Sequence, residues 1–151
     1  CTTPGVFVGE GNKQIPGRRR SIRGLSYQTF FVWRYAMKKE QPTFLFVCLA
    51  NMNRSPTAET VMEGLARSRG IQAETISAGV SPMAVQPVTR DLLARSDLIF
   101  VMEDYMKQAI LRDYDLPQGK IVVLDIPDIY EQDDPVLVHQ LRELLEPYLQ
   151  S

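Results

Sequence analysis

The chain has 151 residues, of which 44% are hydrophobic and 23% charged, a composition typical of one globular domain. Its formal net charge of -1 gives no general attraction to nucleic acid, and its single histidine excludes a histidine-rich metal site. Because no apolar stretch could span a bilayer and only two cysteines occur, we expect no membrane partner, no disulfide framework and a cytoplasmic location.

The first 36 residues differ in character from the rest of the chain. They contain the basic cluster 18–20 and frequent glycine and proline, but no sustained helical or strand period. The sequence 37–40, Met-Lys-Lys-Glu, precedes a strand and is typical of a start of translation. We therefore expect residues 1–36 to be a basic N-terminal extension that is poorly ordered or artefactual, and residues 37–151 to form the functional domain.

From Met37 onward, apolar runs typical of strands alternate with segments of helical period. Strands are expected at 43–47, 74–77, 98–101 and 121–124, and helices from Pro56 onward and at 87–96, 104–112 and 135–149. This alternation predicts an α/β fold, a small doubly wound sheet of four parallel strands with helices on both faces. Ligands of such sheets bind beyond the carboxyl ends of the strands, so the loop after the first strand is the expected site.

That loop contains a cysteine, five residues, an arginine and a hydroxyl, placed just before a helix. Its backbone N–H groups can converge on one point, and the helix dipole adds positive potential, so the loop suits a phosphate group. The same field favours a thiolate at Cys48, which Ser55 can stabilise by a hydrogen bond. The planar guanidinium of Arg54 can hold two phosphate oxygens. We expect Cys48 to be the nucleophile and Arg54 the phosphate clamp, in a phosphate-binding loop completed by Leu49, Ala50, Asn51, Met52, Asn53 and Ser55.

The stretch 46–59 resembles the signature of the low-molecular-weight protein-tyrosine phosphatases, especially a compact bacterial branch of them. Residues 77–79 and 97–103 are similar to the second and third strand motifs of that family. The resemblance implies a phosphomonoester hydrolase that forms a cysteinyl-phosphate intermediate and uses no metal and no cofactor. Its substrate would be a phosphotyrosine-containing protein or a small aryl phosphate. It further implies that Asn51 holds the loop in a left-handed turn with Ser77 as hydrogen-bond partner.

Hydrolysis of an aryl phosphate also needs a carboxylic acid that protonates the leaving oxygen. The acidic loop 125–135 follows the fourth strand and emerges at the same edge of the sheet as Cys48. Asp128 is the candidate acid, because 128–130 is similar to an Asp-Pro-aromatic motif of the family, with isoleucine in place of proline. The competing carboxylates are Asp125, Asp133 and Asp134, the last of which is typical of an N-cap before Pro135.

Several features leave the activity open at this point. Tyr130 is a candidate wall of the pocket, but a loop tyrosine can equally pack on the core. Ala50 and Asn53 replace a usual glycine and a frequent second cysteine of the family. An arsenate reductase dependent on an external thiol is one alternative, since Cys1 is the only other cysteine. A phosphoprotein-binding module with little turnover is the other, and the sequence indicates no oligomeric state.

Overall fold

Four parallel strands form the centre of the structure, a computed structural model that describes residues 25–149. The strands lie in the order β2-β1-β3-β4. They are β1 Thr43–Cys48, β2 Glu74–Gly79, β3 Leu98–Val101 and β4 Ile121–Val123. From β1 the chain goes to β2 at one edge of the sheet, and it then crosses back over β1 to form β3 on the other side. The direction of the connections therefore reverses at β1, the strand that ends at Cys48. The predicted α/β fold with a four-stranded parallel sheet is confirmed.

Five helices cover this sheet within the described part of the chain. They are α1 Tyr27–Met37, α2 Arg54–Ser68, α3 Arg90–Arg95, α4 Asp104–Asp113 and α5 Pro135–Leu145, with 3₁₀ turns at Gln118–Lys120 and Glu146–Leu149. The crossover from β1 to β2 runs opposite to the crossover from β2 to β3, so right-handed connections place α2 and α3 on opposite faces. Within residues 25–149, no helix combines the length and the apolar character needed to cross a membrane.

The apolar strands form a core that is closed on both faces. Every residue of β1 and of β3 is buried, which is why their sequences show apolar runs rather than alternation. The ring of Phe100 stacks on that of Phe46 at 5.2 Å between centroids and meets the edge of Tyr148 at 5.0 Å. Aromatic contacts of this kind add to the free energy gained from burial alone.

Two helices begin at other residues than the sequence predicts. Helix α2 begins at Arg54, two residues before Pro56. Proline is tolerated in the first turn of a helix, because the N–H that it lacks would have no acceptor within the helix there. Helix α3 begins at Arg90 because the chain before it still runs along β2, where the N–H of Gly79 donates to Gln86 and the N–H of Val88 donates back to Gly79, each over 2.9 Å.

Helix α1 lies in the segment for which the sequence predicts poor order. The structure differs for residues 25–36, since α1 buries Thr29, Trp33 and Ala36. The indole N–H of Trp33 donates to the backbone oxygen of Tyr148 over 2.8 Å. Aromatic residues on all sides of this helix hide its period, and the partner is 115 residues away in sequence, so local patterns carry no signal of the contact. The basic cluster 18–20 lies outside the described residues.

Candidate active site

The phosphate loop connects β1 to α2 and surrounds the sulfur of Cys48. The thiol is buried, with the backbone N–H of Asn51 donating to Sγ over 3.2 Å and the hydroxyl of Ser55 lying 3.0 Å from it. The Ser55 hydroxyl accepts a hydrogen bond from the Asn51 side chain over 3.0 Å and donates to Ala78 O over 3.3 Å. Rotation of the Ser55 hydroxyl from Ala78 O toward Sγ would give a Cys48 thiolate a second hydrogen-bond donor beside the N-terminus of α2.

Asn51 fixes the path of this loop. Its φ is 58°, in the left-handed region that asparagine tolerates better than most residues. Its side-chain nitrogen donates to the hydroxyl of Ser77 over 2.9 Å as well as to Ser55. This is the contact that the family resemblance implies, and it ties the phosphate loop to the end of β2.

Arg54 points inward from the first residue of α2 and is only 2% exposed. Its Nη1 donates to the carboxylate of Glu103 over 2.5 Å and to the backbone oxygen of Ile126 over 2.7 Å. A buried guanidinium needs an anion and hydrogen-bond acceptors to offset the cost of removing it from water, and Glu103 and Ile126 supply them. The two partners hold its plane, and Nε lies 3.7 Å from Oδ1 of Asp128.

The loop after β4 brings Asp128 to the phosphate loop. Asp128 is 58% exposed, so its carboxylate can exchange protons with a substrate and with water. Two of the competing aspartates adopt left-handed backbone conformations, with φ of 62° at Asp125 and 64° at Asp133. The third, Asp134, accepts the N–H of Val136 over 2.8 Å as the N-cap of α5, as the sequence predicts. Among residues 25–149, no group of three or more His, Cys, Asp or Glu residues is arranged to hold a metal ion.

Two tyrosines flank this loop in different ways. Tyr130 is partly buried against the core, and its hydroxyl donates to Gln140 of α5 over 3.3 Å. Its role as a pocket wall stays a prediction. Tyr105, in the first turn of α4, is 48% exposed and lies near Arg54. Burial raises the pKa of Tyr105, the charge of Glu103 raises it further, and Arg54 acts in the opposite direction. Tyr105 is thus a second aromatic side chain at the clamp.

Exposed apolar side chains gather on the loops around Cys48. The segment after β2 is fastened to the phosphate loop, since the N–H of Ser81 donates to Leu49 O over 3.0 Å and that of Val85 donates to Ala50 O over 3.1 Å. These loops and the Asp128 loop carry the five apolar side chains that we call the rim, namely Leu49, Met52, Met83, Val85 and Ile129, which are between 40% and 89% exposed. An apolar rim around an anion site suits a phosphate attached to a hydrophobic or aromatic group.

Sequence reasoning missed two contacts of Arg54. Glu103 ends the third strand motif, and its place at the carboxyl edge of the sheet was the signal that could have identified it as a partner. Tyr105 gives no such signal, because a tyrosine in the first turn of a helix is ordinary. Both contacts join residues about 50 positions apart in sequence, a separation that only the sheet topology brings together.

A protein family and a bacterial phosphatase both resemble this chain in sequence. A family model described as low molecular weight phosphotyrosine protein phosphatase matches residues 43–90, which include β1, the phosphate loop, α2 and β2. The protein-arginine-phosphatase of Bacillus subtilis (strain 168) is 28% identical over 138 residues, which cover 66% of this chain and 92% of that protein.

Solved structures share the fold. The YwlE arginine phosphatase of Bacillus subtilis, solved as a cysteine-to-serine mutant with a phosphorylated active-site serine, aligns with a TM-score of 0.58 at 25% identity, covering 70% of this chain and 91% of that one. Vibrio vulnificus Wzb in complex with benzylphosphonate aligns with a TM-score of 0.54 at 26% identity, covering 71% and 93%. This chain thus shares its fold and its phosphate-loop segment with the low-molecular-weight phosphotyrosine protein phosphatases, which confirms the resemblance carried by its sequence motifs.

Proposed function

We propose that this chain is a cysteine-dependent protein phosphatase in which Cys48 is the nucleophile, Arg54 the phosphate clamp and Asp128 the general acid. One observation carries the proposal above the others. The buried sulfur of Cys48 sits at the N-terminus of α2 with a backbone N–H and a hydroxyl directed at it, in the loop that also supplies the buried Arg54. A thiolate, a ring of donors and a fixed guanidinium together suit attack on phosphorus.

The first chemical step transfers the phosphoryl group to sulfur. The Cys48 thiolate donates an electron pair to phosphorus while the bond from phosphorus to the leaving oxygen breaks. Arg54 and the loop N–H groups stabilise the charge on the three equatorial oxygens, and Asp128 gives its proton to the leaving oxygen. The related arginine phosphatase with a phosphorylated active-site serine supports a covalent intermediate of this kind.

The second step returns the enzyme to its starting state. Asp128, now ionised, takes a proton from a water molecule that attacks phosphorus, and the bond from phosphorus to sulfur breaks. Inorganic phosphate leaves and Cys48 is again a thiolate. Ser55 stabilises that leaving thiolate, because its hydroxyl lies 3.0 Å from Sγ, closer than to Ala78 O at 3.3 Å, and can turn its proton toward the charged sulfur.

Phosphotyrosine is the substrate that the rim favours. Leu49 and Met52 belong to the phosphate loop itself, and Ile129 follows the acid, so a phenyl ring entering toward Cys48 would contact apolar surface on both sides. The complex of the related Wzb with benzylphosphonate, which carries a phenyl ring, supports this choice.

Phosphoarginine is the second candidate. It rests on the 28% identical relative, which is named a protein-arginine-phosphatase, and it presents the same phosphate dianion to the loop. The two substrates differ at the rim, where a guanidinium would replace the phenyl ring against Met52 and Ile129 and lose much of the apolar contact.

Release of phosphate from para-nitrophenyl phosphate in an EDTA-containing buffer tests the reaction. We expect turnover by the wild-type protein and none by Cys48→Ser, which keeps the loop but loses the nucleophile. Two peptides of one sequence, phosphorylated on tyrosine or on arginine, then test the substrate. A higher kcat/KM for phosphotyrosine is expected, and the reverse order would transfer the assignment to phosphoarginine. A folded wild-type protein that binds phosphopeptide without turnover would contradict the proposed reaction.

A further inference from the structure

Thr57 makes a hydrogen-bonded link that the reaction as described above does not use. It is the fourth residue of α2 and is fully buried. Its hydroxyl donates to the backbone oxygen of Asn53 over 2.7 Å. The same hydroxyl accepts the backbone N–H of Asp133 over 2.9 Å. One side chain of the phosphate-loop helix therefore touches both the last turn of the phosphate loop and the far end of the acid loop.

The two bonds of Thr57 depend on each other. A hydroxyl has one proton, and here it is used on Asn53 O, which also accepts the backbone N–H of Thr57 over 3.2 Å. With the proton fixed there, a lone pair of Oγ1 is directed at Asp133. The helix itself gains little from the first bond, because such bonds from threonine to the carbonyl four residues earlier slightly destabilise a helix. The contact with Asp133 is what makes the hydroxyl useful.

The acid loop is consequently attached at both ends. At its start, Ile126 donates its N–H to Met102 O over 2.8 Å and accepts the Arg54 side chain over 2.7 Å. At its end, Asp133 is held by Thr57. The left-handed residues Asp125 and Asp133 mark these two ends, and the exposed segment 127–129 between them carries the acid.

We infer that Thr57 is a positioning residue, which sets the place of Asp128 relative to the phosphate loop by holding the N–H of Asp133. The inference rests on the proposed function. The expected effect is on the acid, since Asn53 O keeps the backbone N–H of Thr57 as a donor when the hydroxyl is lost, and within residues 25–149 no hydrogen bond joins Thr57 to Cys48 or to the Arg54 side chain. Loss of the hydroxyl should therefore impair protonation of the leaving group and leave phosphate binding intact.

Leaving groups of different basicity separate these two effects. Para-nitrophenolate leaves readily without a proton, whereas phenolate depends on the acid. In Thr57→Val we expect kcat/KM, which reports the step that expels the leaving group, to fall roughly tenfold for phenyl phosphate and less than about threefold for para-nitrophenyl phosphate, a fraction of what a general acid contributes. Thr57→Ser, which keeps the hydroxyl, should restore the wild-type ratio, and the inhibition constant of inorganic phosphate should stay unchanged in both variants.

Thr60 offers a matched control one turn further along α2. Its hydroxyl makes the same kind of bond, to Pro56 O over 3.2 Å, but the residue is exposed. Thr60→Val should leave the ratio of the two rates at its wild-type value. Equal losses on both substrates in Thr57→Val, a weakened binding of phosphate, or no recovery in Thr57→Ser would overturn the inference. The wild-type rate tests the proposed function, whereas only the ratio between substrates tests Thr57.

Hydrogen exchange gives a readout that does not depend on activity. The Asp133 amide should exchange at least several times faster in Thr57→Val than in the wild type, because its acceptor is lost, and Thr60→Val should leave it unchanged. An Asp133 amide that exchanges equally in all three proteins would overturn the inference whatever the rates show.

Discussion

The charged side chain of Arg54 is almost wholly buried, so the free-energy cost of its burial depends on the groups that it contacts. Glu103 supplies the anion and Ile126 the carbonyl, and both come from ends of strands at the same edge of the sheet. Glu103 is one-third exposed, which leaves this pair partly screened by solvent. The arginine is thus pre-oriented by protein groups, and the entropy of ordering its side chain is lost on folding and not on substrate binding.

Removal of Glu103 should destabilise the fold measurably. Glu103→Ala leaves the buried guanidinium with the Ile126 carbonyl and the more distant, exposed carboxylate of Asp128, and we expect the free energy of unfolding in urea to fall by about 2 kcal/mol. Glu63→Ala is the control, since Glu63 pairs with Arg67 on the exposed face of α2. That pair should contribute less than about 0.5 kcal/mol. Equal small effects of the two substitutions would contradict the assigned importance of Glu103.

Substitution of Asp128 should show whether this residue, and not a neighbouring aspartate, is the general acid. In Asp128→Asn we expect kcat/KM for phenyl phosphate to fall by roughly a hundredfold to ten-thousandfold, with a much smaller loss of kcat/KM for para-nitrophenyl phosphate. Asp125→Asn is the matched control, because asparagine tolerates the left-handed conformation of residue 125. Near-normal activity of Asp128→Asn together with an inactive Asp125→Asn would assign the acid to Asp125.

At the scale of elements, the last residue of β2, Gly79, packs directly against the backbone of the phosphate loop. A Cβ atom on Gly79 would lie 2.6 Å from Leu49 O and 3.0 Å from Asn51 N, both in the phosphate loop, and 2.6 Å from the Ala84 side chain. The strand, the phosphate loop and the segment after β2 approach each other so closely that only glycine fits between them.

Gly79→Ala should therefore damage the site through its backbone. Overpacking should cost about 1–3 kcal/mol of stability, and kcat/KM for para-nitrophenyl phosphate should fall because Asn51 N is displaced from the sulfur. Gly64→Ala is the control. A Cβ on Gly64, in the middle of α2, meets nothing within 4 Å and should stabilise the protein by about 0.5–1 kcal/mol at unchanged activity. Retention of full activity by Gly79→Ala would show that the loop does not depend on this contact.

The elements differ in how well the sequence predicts them, for physical reasons. The buried strand Leu98–Val101 and the capped start of α5 follow from short-range patterns and are predicted correctly. Helix α3 begins late because pairing with Gly79 holds residues 86–88 extended, a contact that helical propensity does not express.

The candidate site divides in the same way. The approach of Cys48, Arg54 and Ser55 can be predicted, because they lie within eight residues between a strand and a helix. The contacts of Glu103 with Arg54 and of Asp133 with Thr57 span 49 and 76 positions, and depend on the order of the strands in the sheet. Sequence patterns predict that these residues lie at the carboxyl edge of the sheet, but they do not predict which of them contact each other.

At the scale of the whole molecule, the buried Tyr148 should make the free energy of unfolding decrease at alkaline pH. Burial raises the pKa of Tyr148 above its ordinary value of 10.0. The unfolded chain therefore loses this phenol proton at lower pH than the folded protein does. Its contribution to stability is fully present below the unfolded pKa of about 10 and is lost as the pH rises above that value.

The pH dependence of thermal unfolding tests this dependence. Between pH 9 and pH 11, the Tm of Tyr148→Phe should decline less than that of the wild type, because phenylalanine has no proton to lose. Tyr35→Phe is the control, since the side chain of Tyr35 is 70% exposed, and its decline should match the wild type. Parallel curves for Tyr148→Phe and the wild type would mean that Tyr148 does not couple ionisation to unfolding.

Trp33 is the only tryptophan of the sequence, and it lies where α1 meets the C-terminal turn. Indole emission excited near the red edge of the absorption band therefore originates at one place in the molecule. A blue emission maximum reports the docked helix, and a shift to the red reports solvent reaching the ring. The protein thus contains an intrinsic optical probe. Comparing its emission shift with the loss of helical circular dichroism during denaturation would show whether α1 separates from the turn Glu146–Leu149 before the rest of the fold unfolds.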